Sequence, residues 1–162
     1  MKTMRKLKIY LDTSVISHLY APETSDKMND TLNLWEIFKQ NEYDVYISGT
    51  VLTEIYDCPQ PKRQIMLEHL SQIEYNELEE IDEVTELADK YITAGFLKTK
   101  NYDDCMHLAF AVVNYCDIII SWNFKHIVNL KTIQAVNQVN YANGYLHPIQ
   151  ILPPNMLLKG DD

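Results

Sequence analysis

Lys8-Ile9-Tyr10-Leu11-Asp12-Thr13-Ser14 is the stretch on which the fold turns. A short apolar run that ends in an acid and two hydroxyls has the character of a buried strand carrying a carboxylate to a sheet edge. Outward from it, Asp44 to Ser48 alternates around Val45 and Ile47, and Asp117 to Ser121 encloses Ile118-Ile119-Ile120. With 75–78 and 147–152 these make five strand candidates, the first at 7–11.

Helical patterns fill the intervals. Thr13 or Asp12 caps a short helix through Val15, Ile16 and Leu19, which Pro22 ends. Ser25 and Asp26 cap a helix bearing Leu34, Trp35 and Phe38. Gly49 breaks the second strand, and Thr50 starts a helix with Val51, Leu52 and Ile55. Pro59 and Pro61 open a helix through Leu70. Asp82 caps one through Tyr91, closed by Gly95. Asp103 and Asp104 enter an apolar helix over 102–115, and a last helix covers about 130–142. Strands alternating with helices predict an α/β fold: a parallel sheet covered on both faces. The chain reads as one domain over 1–154 with a mobile tail at 155–162.

Composition narrows the function. The 162 residues are 46% hydrophobic, too apolar for disorder. No apolar run approaches the roughly 20 residues of a membrane span. Lys2, Arg5, Lys6 and Lys8 resemble the start of a signal peptide, but only Ile9 to Leu11 follow before Asp12, so no export signal is expected. Cys58, Cys105 and Cys116 form no C-x-x-C pair, which suits a reducing cytosol and argues against a disulfide framework or a cysteine zinc site. A net charge of −9 opposes non-specific nucleic-acid binding. It leaves a nucleic-acid enzyme open, because a bound cation reverses the local sign. Three small basic pairs, Lys62 with Arg63, Lys98 with Lys100 and Lys125 with Lys131, read as solvated surface rather than a binding track.

Four polar positions stand beside strand ends or helix starts: Asp12, Glu54, Asp104 and Asn123. Ligands in open parallel sheets bind at the carboxyl ends of the strands. Asp12 ends the first strand, Asn123 follows the 117–121 strand, Glu54 lies a turn beyond Ser48, and Asp104 starts the helix leading to the 117–121 strand. Singly, each has an ordinary explanation as a helix cap, a surface acid or a favourable charge at a helix start. Together at one edge they make a site. Crowded carboxylates raise one another's pKa unless a cation is present. Oxygen donors without a His/Cys pattern suit Mg²⁺ or Mn²⁺, and the natural chemistry is phosphodiester hydrolysis.

Four segments carry a resemblance to the PIN-domain family, and particularly to the VapC-like toxins of toxin–antitoxin pairs. They are Ile9-Tyr10-Leu11-Asp12-Thr13-Ser14-Val15-Ile16, Ser48 with Val51-Leu52-Thr53-Glu54-Ile55, Asp104-Cys105-Met106-His107-Leu108-Ala109, and Ser121-Trp122-Asn123-Phe124-Lys125-His126. Their order and spacing span about residues 8–152. The resemblance implies a Rossmann-like PIN domain and a Mg²⁺- or Mn²⁺-dependent ribonuclease acting on RNA. It implies Asp12, Glu54 and Asp104 as metal ligands and Thr13 or Ser14 as hydrogen-bonding support. It also implies a homodimer silenced by a small antitoxin. Many members have Asp where this chain has Asn123, which can ligate or orient water but removes a charge. Asp104 is preferred over Asp103 on the D-x-x-H-L-A pattern, since helix neighbours point about 100° apart. His107 is either a hydrogen-bonded core histidine or a group facing the cleft. His126 is either surface or a contact to substrate phosphate. Trp122 is either a core residue or a base-stacking platform.

Other readings are weaker. A haloacid-dehalogenase-like phosphatase needs an acid where Ser14 stands. A cysteine phosphatase loop is disrupted by Pro59 and Pro61 and has only four residues between Cys58 and Arg63. A different class of function is a PIN-like protein-interaction module with lost or weak nuclease activity, which Asn123 and the acidic balance favour and the retained Asp12, Glu54 and Asp104 oppose.

Overall fold

The computed structural model describes residues 5–158. Five parallel strands form one sheet: β1 (Lys8–Leu11), β2 (Asp44–Ser48), β3 (Asn76–Leu78), β4 (Ile118–Ile120) and β5 (Gln150–Leu152). Among the described residues seven α-helices connect them: α1 (Thr13–Ser17), α2 (Ser25–Lys39), α3 (Gly49–Asp57), α4 (Lys62–Leu70), α5 (Asp82–Ala94), α6 (Tyr102–Val113) and α7 (Leu130–Ala142). The strand order is β3-β2-β1-β4-β5, with β1 at the centre.

Alternation along the strands builds two cores. Ile9 and Leu11 of β1, with Ile118 and Ile120 of β4, face a cluster that includes Leu34, Trp35, Ile55 and Met66. Tyr10 and Ile119 face the opposite cluster, with Tyr91, Phe110 and Val136. A strand buried on both faces must be apolar at every position, which is why β4 is a plain isoleucine run. The expected α/β architecture is the observed one.

Local chemistry departs from expectation at several ends. Of the two expected caps of α1, Asp12 is the one that caps it. Ser48 caps α3 by accepting from Val51 N at 3.4 Å, so the helix starts at Gly49, one residue before Thr50. Neither Ser25 nor Asp26 caps α2; Thr24 precedes it without a side-chain bond. Asp82 lies inside the first turn of α5 rather than capping it. Gly95 does close α5, at φ +87°, a conformation open to glycine without strain.

The segment expected to be a mobile tail is ordered at its start. Pro154–Leu157 forms a 3-10 turn, and Leu157 and Leu158 pack on the cluster of Ile9, Leu11, Leu34 and Trp35, where both bury apolar surface. Residues 159–162 lie outside those described. Among the described residues no helix is long and apolar enough to cross a membrane. Cys58 is half-buried, and Cys105 and Cys116 are buried; none is disulfide-bonded.

Candidate active site

Strand order reverses beside β1: the chain leaves β1 for β2 on one side and returns to β4 on the other. The carboxyl ends of β1 and β4 therefore open a crevice, the usual ligand site of such sheets. A cavity of about 280 Å³ lies there, lined by Asp12, Thr13, Ser14, Glu54, Asp104 and Asn123, among others. All four polar positions singled out in the sequence meet in it, as do Thr13, Ser14 and His107. Asp103 reaches the same cavity from the exposed side of α6.

Asp12 is 3% exposed and held by three donors. Its Oδ1 accepts from Ser14 Oγ at 2.6 Å and Val15 N at 3.3 Å, and its Oδ2 accepts from Ser121 Oγ. Both hydroxyls also tie down the segment after β4. Ser14 Oγ accepts from Trp122 N, and Ser121 Oγ accepts from Asn123 N, each at 2.9 Å. Burial pushes the Asp12 carboxyl above its ordinary range, against the lowering influence of His107 and these donors.

His107 is buried beneath the carboxylates, and both of its sequence readings hold. Its Nδ1 lies 2.8 Å from Tyr10 Oη, which is 2.8 Å from Ser48 Oγ. Its Nε2 lies 3.4 Å from Glu54 Oε1, an ionic contact rather than a formed hydrogen bond. Burial opposes charging the ring, but Glu54, Asp12 and Asp104 together outweigh it and raise its proton affinity.

Asp104 is half-buried at the start of α6. Its Oδ1 accepts from Asn123 Nδ2 at 3.2 Å, and its Oδ2 stands 3.0 Å from His126 Nδ1. Burial raises its pKa first, His107 and His126 lower it, and Asp12 raises it again. Asn123 also accepts from His126 N at 2.9 Å, so it orients both neighbours. His126 therefore stands at the edge of this cavity, in contact with Asp104. Trp122 takes the core reading: it is 7% exposed, and its Nε1 donates to Thr31. Asp117, at the far end of β4, binds Arg5, Lys8 N and His147 and plays no part here.

The donor set suits a hard cation by one specific mark. Among the described residues two buried side-chain oxygens lack a hydrogen-bond partner, Thr13 Oγ1 and Glu54 Oε1, and both line this cavity. Buried orphan acceptors are rare and call for a partner. Among the described residues no three His, Cys, Asp or Glu side chains form a cage able to hold an ion by themselves. A structural metal, which needs such a cage, has no site among them, whereas an ion that keeps several waters needs fewer protein ligands.

The residues that the sequence did not reveal are the supports: Tyr10, Ser48 and Ser121. Their signal was a polar group at or near the carboxyl end of each central strand, which becomes meaningful only when those ends are neighbours.

No protein-family model matches the sequence, and no curated protein matches it significantly. Among solved structures, the chain is similar to one in the crystal structure of VapBC2 from Rickettsia felis bound to a DNA fragment from their promoter. The match covers 90% of this chain and 98% of that one, with a TM-score of 0.55 and 13% identity. At that identity the likeness carries the fold, and the fold is the one the PIN-domain resemblance implied.

Proposed function

We propose that the protein is a Mg²⁺- or Mn²⁺-dependent endoribonuclease of the cytoplasm, the toxin of a toxin–antitoxin pair. The observation that carries this reading is the meeting of Asp12, Glu54, Asp104 and Asn123 in one cavity where two buried oxygens lack partners. When bound, the cation supplies charge neutralisation and Lewis acidity to the scissile phosphate. Asp12, Glu54 and Asp104 are the acids that would hold it, one or two directly and the rest through its bound waters. Asp12 is the most rigid of the three, since Ser14, Ser121 and Val15 fix its carboxylate.

The remaining side chains position these acids. His107 sets Glu54 from below and is itself set by Tyr10. Asn123 aims Asp104 with its amide. A water adds to phosphorus, one P–O ester bond breaks, and the leaving oxygen gains a proton. A phosphate entering this cavity is repelled by the bare acids, so its placement there and turnover depend together on the cation. A small antitoxin that covers this cavity silences the enzyme, and the toxin acts as a homodimer.

The test is cleavage of a mixed pool of structured and unstructured RNA in Mn²⁺ or Mg²⁺, with EDTA and Asp12→Asn as controls. Cutting lost in both controls supports the reading. A folded protein free of partner that never cuts overturns it in favour of an interaction module.

A further inference from the structure

A second, larger cavity of about 600 Å³ adjoins the first through His126. Its volume lies within the roughly 300–1,000 Å³ of ligand-sized clefts. It runs between the α5–α6 connection and the segment from β4 to α7, so it opens at the same carboxyl edge of the sheet. Lys98 and Lys100 line one wall and Lys125 and Lys131 the other. Among the described residues no carboxylate lines it. This is the unusual feature: a chain with 23 acidic and 14 basic residues gathers four lysines in one acid-free groove. Among the described residues none of the four ammonium groups forms an ion pair or a hydrogen bond. All four side chains belong to exposed residues.

The walls are held firm. Asn129 Nδ2 donates to the carbonyls of Phe124 and Lys125 at 3.0 Å, and its Oδ1 caps α7 at Thr132 N. Thr132 Oγ1 donates to the His126 carbonyl at 2.8 Å. Lys98 and Lys100 flank a 3-10 turn over Thr99–Asn101. The positive end of the α7 dipole faces the same segment. Two basic pairs that read as solvated surface are thus one surface.

We propose that this groove binds the phosphate backbone of a single-stranded polynucleotide whose scissile phosphate lies in the carboxylate cavity. The choice of ligand rests on the nuclease reading above. A strand with one phosphate at Asp12 and Asp104 carries its next phosphates past His126 and into the groove. The lysines there supply the attraction that the net charge of −9 denies elsewhere.

The experiment is binding of labelled single-stranded RNA and DNA of the same sequence to the full chain in EDTA, from 50 to 200 mM salt. One variant carries Lys98→Gln, Lys100→Gln, Lys125→Gln and Lys131→Gln. A charge-matched control carries Lys39→Gln, Lys62→Gln, Arg63→Gln and Lys90→Gln. Each lysine on a phosphate of a single strand contributes about 0.7 to the log–log salt slope. The groove variant is expected to lose nearly 3 from that slope. Over this range it then weakens about fiftyfold less than the wild type. The control keeps the wild-type slope.

Loss with both nucleic acids supports the proposal, and loss with one alone supports it and names the source. Equal flattening in both variants, or none in either, overturns it. Weakened binding of polyglutamate with unchanged nucleic-acid binding also overturns it, in favour of an acidic protein segment. Should the fourfold variant misfold, the Lys98/Lys100 and Lys125/Lys131 pairs are tested separately, each expected to remove about half the effect. Because EDTA prevents cleavage, groove binding without any metal-dependent cutting leaves this proposal standing and removes only the nuclease reading.

Discussion

Asp12→Asn separates function from folding, and its size follows from the contacts. The wild-type carboxylate accepts from Ser14, Val15 and Ser121. An amide keeps one acceptor oxygen, but its NH₂ meets a hydroxyl that now donates to the carboxylate. One charge-assisted bond is lost, worth about 1.5–3 kcal/mol. Against this, Asp12 is buried and its proton affinity is raised, so the ionised side chain works against the fold at neutral pH. Every tenfold of raised proton affinity corresponds to about 1.4 kcal/mol, which the neutral amide recovers. The two effects oppose, and we expect a net change below about 2 kcal/mol. At about 2–4 °C per kcal/mol for a chain of this size, the melting temperature in EDTA moves by less than about 8 °C. Mn²⁺ at a hundred times its Kd adds about 2.7 kcal/mol, so the wild type melts roughly 5–11 °C higher with metal. The variant shows little of that rise, and its cleavage falls at least about a hundredfold, the scale of losing one transition-state contact. Thermal melts with and without Mn²⁺, run beside the RNA assay, read both. An equal Mn²⁺-induced rise in the two proteins, or cleavage at the wild-type rate, refutes the role given to Asp12.

Four further outcomes are expected. Asp104→Ala lowers cleavage at least about tenfold more than Asp103→Ala, because Asp104 is the acid tied to Asn123 and His126; the reverse ranking in a rate assay exchanges their roles. Asn123→Asp replaces an amide donor to Asp104 with a like charge, so it lowers the melting temperature in EDTA and enlarges the rise on adding Mn²⁺; a smaller rise places residue 123 outside the site. Tyr10→Phe frees His107 Nδ1 while keeping the ring, so cleavage falls about 10–100-fold for about 1 kcal/mol of stability; unchanged kinetics show that His107 needs no such support. Asp117→Ala removes the acceptor of Lys8 N and costs about 1.5–3 kcal/mol at pH 7. Asp117 is held well below the usual carboxylate range, first by Arg5. Its contribution is therefore present above the unfolded value near 4 and lost as pH falls below it, so chemical denaturation should show the two proteins converging in acid.

The strands and helices were legible because their signals are local. Ile9-Tyr10-Leu11 and Ile118-Ile119-Ile120 are short apolar runs at the centre of a sheet; Asp12, Glu54 and Asn123 follow strand ends where ligands bind, and Asp104 opens the helix that leads into β4. Helix starts were less legible: Ser48 caps α3 and Thr24 precedes α2, because a cap depends on backbone angles that residue type only biases. Leu157 and Leu158 looked like tail, since nothing in a proline-led sequence announces the apolar surface awaiting them.

From the sequence alone came the elements, their parallel arrangement and the identity of the acids, all of which rest on periodicities of two and 3.6 residues and on strand-end chemistry. Tertiary structure alone decided that β1 and β4 are neighbours with their carboxyl ends open between them. Through that one adjacency Ser121 reaches Asp12, and Asn123 reaches Asp104. The folding of α6 and α7 around it brings Lys98 and Lys100 opposite Lys125 and Lys131. Residues so far apart in the chain leave no local pattern, because their proximity is set by which strands pair and which crossovers pack, and not by any residue's own preference.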